Sequence, residues 1–160
     1  MDWLKEARTA TYTLPGFKFA EGGALDVRLH YRTLGVLAPD RRNGVLMLHG
    51  TTGASRQFLQ ASTADFLFAE DQLLDVSKYF IIMPDAIGHG GSSKPSDGLE
   101  TAFPRYCYAD IIETQHRLVT KGLGLERLRL VLGTSMGGMQ TWMWGERYPE
   151  MMDALLPKKS

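Results

Sequence analysis

Cysteine is nearly missing from this sequence. Cys107 stands alone, so no disulfide can form within the chain, and the redox compartment is left open. An excess of charge of either sign is missing too. The 18 Lys and Arg residues offset 18 Asp and Glu over 160 residues, which removes the electrostatic grip of a nucleic-acid or anionic-membrane binder. No apolar run approaches the roughly 18 residues of a membrane span. The N-terminus, MDWLKEARTA, is charged from its second residue and has no apolar signal core. These absences favour a cytoplasmic protein; a secreted or periplasmic one would need a signal removed before this numbering starts. Repeats and low-complexity tracts are lacking, as are a G-x-x-x-x-G-K-[ST] loop and a G-x-G-x-x-G turn opening a helix. His, Cys and carboxylates show no metal-ligand spacing, so neither a metal nor a bound cofactor is expected.

What is present is an alternation of strand and helix patterns in one domain, long enough to bury roughly two-thirds of its unfolded surface. LDVRLHYRTLG alternates Leu25, Val27, Leu29 and Tyr31 with polar residues, the period of a half-buried strand, and YTLPGFKFA before it reads as a second strand turned at Pro15-Gly16. Residues 44–50, 79–85 and 127–133 are short continuous apolar runs, which suit strands covered on both faces of a parallel sheet. Between them, TADFLFAEDQLL and YADIIETQHRLVTKGLG read as helices. The second puts Ile111, Ile112, Gln115, Leu118 and Val119 on one face and ends at Gly122 and Gly124. MGGMQTWMWGERYP continues as a helix stopped by Tyr148-Pro149. The class is α/β, with a mainly parallel sheet and flanking helices.

The stretch VLGTSMGGMQTW (131–142) carries the chemistry. Gly133-Thr134-Ser135-Met136-Gly137 fits G-x-S-x-G between a strand and a helix, the context that gives this pattern meaning. A strand that turns sharply into a helix crowds its central residue. Gly133 and Gly137 remove the Cβ atoms that would clash, and Gly138 lets the helix approach the sheet. Ser135 is then exposed as a candidate nucleophile, with the Met136 N–H at the helix start facing developing negative charge. Acyl transfer needs a second donor, and LMLHGTTG offers the Thr51 N–H beside Gly50 at the end of an earlier buried strand. His49, ending that strand, reads as a structural hydrogen-bonder rather than a base. Asp85, His89, Ser92 and Ser93 in PDAIGHGGSSKP read as a self-bonded loop shaping the site floor. His30 and His116 read as surface or boundary residues, and Trp142, Met143 and Trp144 as core or pocket wall.

With these elements in order, residues 25–156 resemble the α/β-hydrolase fold and, within it, the homoserine O-acetyltransferase-like family. LHYRTLG (29–35) matches that family's L-x-Y-x-T-x-G opening, and GTSMGGMQ (133–140) with Trp144 and Tyr148-Pro149 is similar to its elbow and following helix. The chain differs in having HGTTG where the acetyltransferases carry an H-A-L-T-G-like turn, and in a hydrolase-like 84–95 loop. The resemblance implies Ser135 as nucleophile, Thr51 and Met136 as oxyanion donors, and a small-molecule acyl ester as substrate, with acyl-CoA as co-substrate in the transferase alternative. No nucleic-acid or membrane partner is expected, and a homodimer is left open. It implies a partial domain over residues 1–160, ending after the nucleophile strand and its helix. That places the strand at a sheet edge and puts the triad acid, the triad histidine, later strands and the cap outside the chain. Two other readings stay open: a non-catalytic binder of a small ligand, and a folding or interaction unit.

Overall fold

In the computed structural model, which describes residues 1–159, six strands form one sheet in the order β1-β2-β4-β3-β5-β6. After a short helix α1 (Trp3–Glu6), β1 (Arg8–Lys18) and β2 (Ala24–Leu34) make an antiparallel hairpin. Its register slips between Leu14 and Phe17, where the Pro15-Gly16 turn signal lies. β2 pairs antiparallel with β4 (Phe80–Pro84), while β3 (Gly44–Leu48), β4, β5 (Leu130–Thr134) and β6 (Leu155–Lys158) run parallel. The helices are α2 (Ala61–Phe68), α3 (Tyr108–Arg117) and α4 (Met136–Arg147).

β3 and β4 are buried at every position because both faces are covered. Leu46, Leu48 and Ile82 face one core with Val131, Ile111, Ile112 and Trp144 from the α3–α4 side. Val45, Met47, Ile81 and Met83 face the other, with Phe68 of α2 and Trp3 of α1. α3 buries the face that its sequence spacing predicts and ends in a π turn (Leu118–Gly122) before Gly124. Trp144 is fully buried, and its indole N–H donates to Gln115 Oε1 at 3.0 Å, tying α4 to α3.

The fold class stands, with two details corrected. The chain does not stop after the helix that follows Ser135. Residues 155–158 form β6, which pairs with β5 from Val131↔Leu155 to Thr134↔Lys158, so β5 is an interior strand and β6 is the edge. Four residues including a proline carry too little periodicity to announce a strand. The second correction concerns β5, whose run does not signal cover on both faces. Val131 and Gly133 are buried, whereas Leu130, Leu132 and Thr134 are only half-buried, since α2 does not extend over them. No helix among the described residues is long and apolar enough to cross a membrane.

Candidate active site

Ser135 sits between the last residue of β5 and the first of α4 with φ 54° and ψ −115°, a backbone conformation costly for any residue with a side chain. The neighbours explain how the strain is held. A Cβ on Gly133 would collide with the Gly137 carbonyl, one on Gly137 with the Leu48 carbonyl, and one on Gly138 would lie 2.7 Å from the Lys158 carbonyl oxygen. The turn therefore packs backbone against backbone on three sides. Three hydrogen bonds fix it: Ser135 N–H donates to Lys158 O at 3.0 Å, Gly138 N–H to Ser135 O at 2.9 Å, and Thr141 Oγ1 to Gly137 O at 2.8 Å. The Ser135 side chain is exposed and lines a cleft of about 430 Å³ with Met139, Trp142, Pro157 and Lys158. Trp142, expected as core or wall, is wall only, 61% exposed.

The HGTTG turn lies beside the serine, since a Cβ built on Gly50 would stand 3.6 Å from Ser135 Cβ. His49 orients this turn. The ring is buried, its Nε2 accepts the Ala86 N–H at 3.0 Å, and its Nδ1 lies 2.8 Å from Gly50 O. An Nε2 that accepts is unprotonated, so the proton is on Nδ1 and donates to Gly50 O. Gly53 N–H donates to the same oxygen. In a planar trans peptide the C=O and N–H point in opposite directions, so anchoring Gly50 O inward turns the Thr51 N–H outward. Burial lowers the His49 pKa below its ordinary value of 6.5 and keeps the ring in this neutral state.

Among the described residues, the Thr51 N–H has no acceptor. The Met136 N–H, at the first position of α4, has none either, because the first N–H groups of a helix have no intrahelical partner. Sequence reasoning missed Gln57, on the short 3-10 turn Ser55–Leu59. Its Oε1 accepts the Gly50 N–H at 3.1 Å and its Nε2 donates to Thr134 Oγ1 at 3.0 Å, bridging the HGTTG turn to the residue before Ser135. Only the glycine of HGTTG closest to it, Gly53, hints at it, since a Cβ there would strike Gln57 Oε1.

The 84–95 loop is bonded throughout. Asp85 is buried and accepts from Ser55 N–H (2.7 Å), Gly91 N–H (2.9 Å) and His30 Nδ1 (3.0 Å). Burial pushes its carboxyl up, but the Gly91 and Ser55 hydrogen bonds and His30 outweigh it and hold it below the ordinary 3.8. Ser92 and Ser93 accept from the His30 and Arg28 N–H groups of β2. His89 places Nε2 2.9 Å from Thr51 O and Nδ1 3.2 Å from Ile87 O. His116 stacks on Tyr148 at 3.8 Å, between α3 and the end of α4. None of the four histidines is hydrogen-bonded to Ser135. Beyond the Met136 side, His89, Tyr106, Cys107, Tyr108 and Ile111 enclose a second hollow of about 410 Å³.

The family model described as the alpha/beta hydrolase fold matches residues 43–156. The chain is 36% identical to a homoserine O-acetyltransferase of Chlorobaculum parvum over 88% of its own length and 41% of the relative's. Among solved structures it is similar to an acetylester hydrolase from Corynebacterium glutamicum, with a TM-score of 0.85, 30% identity and coverage of 96% of this chain and 44% of that one. It is also similar to a homoserine O-acetyltransferase from Bacillus anthracis, with a TM-score of 0.78, 25% identity and coverage of 93% and 45%. The chain thus spans less than half the length of these relatives. With its sheet order, its strained serine between β5 and α4, and a family match over most of its length, the chain belongs to the α/β-hydrolase fold family.

Proposed function

We propose that this chain is the nucleophile-bearing part of a serine-dependent acyl hydrolase acting on small acyl esters. One observation carries the reading: Ser135 is held at φ 54° with an exposed side chain, next to two backbone amides, Thr51 and Met136, that lack acceptors. Ser135 Oγ attacks the acyl carbonyl and gives its proton to a base, and the carbonyl oxygen becomes an oxyanion received by the two amides. Collapse of the tetrahedral intermediate breaks the ester bond, expels the alkoxide, which takes up that proton, and leaves an acyl-enzyme for water to cleave. The base and its orienting acid come from outside these 160 residues, since His30, His49, His89 and His116 are engaged elsewhere. Likeness to the acetylester hydrolase supports water as acceptor; likeness to the acetyltransferases supports the second reading, transfer from acyl-CoA to homoserine.

In a form extended to the relatives' length, Ser135→Ala should lower p-nitrophenyl acetate turnover by several orders of magnitude and abolish labelling by a fluorophosphonate. Unchanged turnover or a persistent label on the variant would remove Ser135 from the mechanism. Acyl-CoA supplied with homoserine, against water alone, separates the transferase from the hydrolase. The 160-residue chain by itself should stay at or below roughly 10³–10⁴ over the uncatalysed rate, the level that oxyanion donors and binding sustain without a base. No turnover and no fluorophosphonate label on the extended form would favour a non-catalytic small-ligand binder.

A further inference from the structure

The register between β3 and β5 runs as far as Leu48↔Gly133. Past that pair the two chains part, one toward Thr51 and the other toward Ser135. Two groups that must act on one carbonyl thus sit on separate turns, beyond the end of the strand ladder that relates them.

The Thr51 N–H is aimed by the two peptide planes that flank Gly50. The plane after Gly50 is held through its oxygen, which takes the His49 Nδ1–H and the Gly53 N–H. The plane before it is held through the Gly50 N–H, which donates to Gln57 Oε1 at 3.1 Å. A Cβ at position 50 would make only ordinary contacts, 3.6 Å from Ser135 Cβ and from Thr134 O. Glycine there brings a torsional freedom that the packing does not require, and the freedom has to be removed from outside.

Gln57 removes it and ties the two turns together. The Gly50 N–H can only donate, so the amide must turn its oxygen there and its nitrogen to Thr134 Oγ1, 3.0 Å away. One side chain therefore joins the residue before Thr51 to the residue before Ser135, across the gap where the ladder has ended. Its base is rigid. Gln57 N–H donates to Ala54 O at 3.0 Å, and the buried Ser55 places its own N–H on Asp85 Oδ1 at 2.7 Å. Phe58 and Leu59 are buried in the core on the α2 side. Held at its root and at both polar ends, the amide has little slack.

We propose that Gln57 is a positioning residue, a brace that sets the distance and direction of the Thr51 amide relative to Ser135 Oγ. The inference rests on the acyl-transfer reading of Ser135 and adds to it a residue that touches neither substrate nor oxyanion. A brace of this kind acts at the tetrahedral stage, when charge reaches the oxygen, and much less on ester binding.

The test uses the form extended to the relatives' length, with p-nitrophenyl acetate. Gln57→Met keeps the length and bulk of the side chain and removes both bonds. It should lower kcat by about tenfold or more, short of the roughly 10²–10³ that loss of an oxyanion donor costs, with KM within about twofold of wild type. A trifluoromethyl ketone bonds its carbonyl carbon to Ser135 Oγ, its oxygen becoming the anion while the serine proton passes to the base. It should inhibit the variant more weakly by the same factor as kcat/KM falls. Thr134→Val removes the tie to β5 alone, which serves also where Gln57→Met does not fold. It should give a smaller loss of kcat, and combining it with Gln57→Met should cost nothing more. An unchanged kcat in both variants, a loss carried by KM with unaltered ketone inhibition, or effects of the two substitutions that multiply would each overturn the brace. Ser135→Ala run alongside tells the failures apart. Turnover that survives it ends the reading of Ser135 and the brace with it; turnover lost there but kept in Gln57→Met ends the brace alone.

Discussion

Two loops leave the same carboxyl end of the sheet, one after β4 and one after β5, and both carry residue types used in catalysis. The loop after β4 holds Asp85, His89, Ser92 and Ser93; the turn after β5 holds Ser135 alone. In the first, the buried carboxylate and both serine hydroxyls are bonded to the backbone of β2 or of the loop, and His89 faces two carbonyls. In the second, the backbone is strained, the side chain is exposed, and neighbouring amides lack acceptors. Polar groups that satisfy one another build a floor. Polar groups left unsatisfied by a rigid surround are available to a substrate.

Four changes test this contrast. Gly137→Ala should have the largest effect, because its Cβ would collide with a backbone carbonyl of β3 that cannot move aside. A loss of about 3 kcal/mol or more in urea unfolding is expected. A shift below the experimental error would show that the turn has room to adjust. Asp85→Ala comes next, leaving the Ser55 and Gly91 amides and the His30 ring without their acceptor. A cost of about 3 kcal/mol is expected, and an unchanged midpoint would refute the account of the floor.

The third prediction is acid sensitivity in two windows. Both the His49 and Asp85 pKa values are lowered by folding, so each contribution is whole above the ordinary value and is lost as pH falls from there through the lower folded value. The first window opens below 6.5, where unfolded His49 takes a proton that the folded ring resists, and the second below 3.8. Urea midpoints of wild type and His49→Gln from neutral pH to about pH 5 isolate the first window, and equal slopes would contradict it. Smallest is Ser135→Gly, which relieves the positive φ and should raise stability by about 1 kcal/mol at most, at the expense of the hydroxyl. A destabilised variant would mean that the serine side chain holds the turn rather than being held by it.

The sequence made the alternation of β3, β4, β5 and their helices readable because continuous apolar runs and 3.6-residue spacing survive without knowledge of neighbours. G-x-S-x-G was readable for a different reason, in that its glycines record backbone collisions between β5, α4 and β3. The half-open face of β5 was not readable. Leu130 and Leu132 look alike whether a helix covers them or not, and α2 ends at Phe68 although its pattern runs on to Leu74. Gln57 was hidden because its two bonds reach across the turn and to Thr134, far along the chain. β6 was hidden because so short a strand is defined by its partner rather than by its own pattern.

The bond from Ser135 N–H to Lys158 O has a kinetic meaning. The geometry of Ser135 is clamped by a strand that comes later in the chain than Ser135 itself. During synthesis Gly133 to Gly138 emerge before β6 exists, and the Lys158 carbonyl is not yet there to help hold the positive φ. The clamp thus closes only after the polypeptide past α4 has docked against β5. Hydrogen exchange would show it, with the Ser135 amide opening together with β6 rather than with the rest of β5.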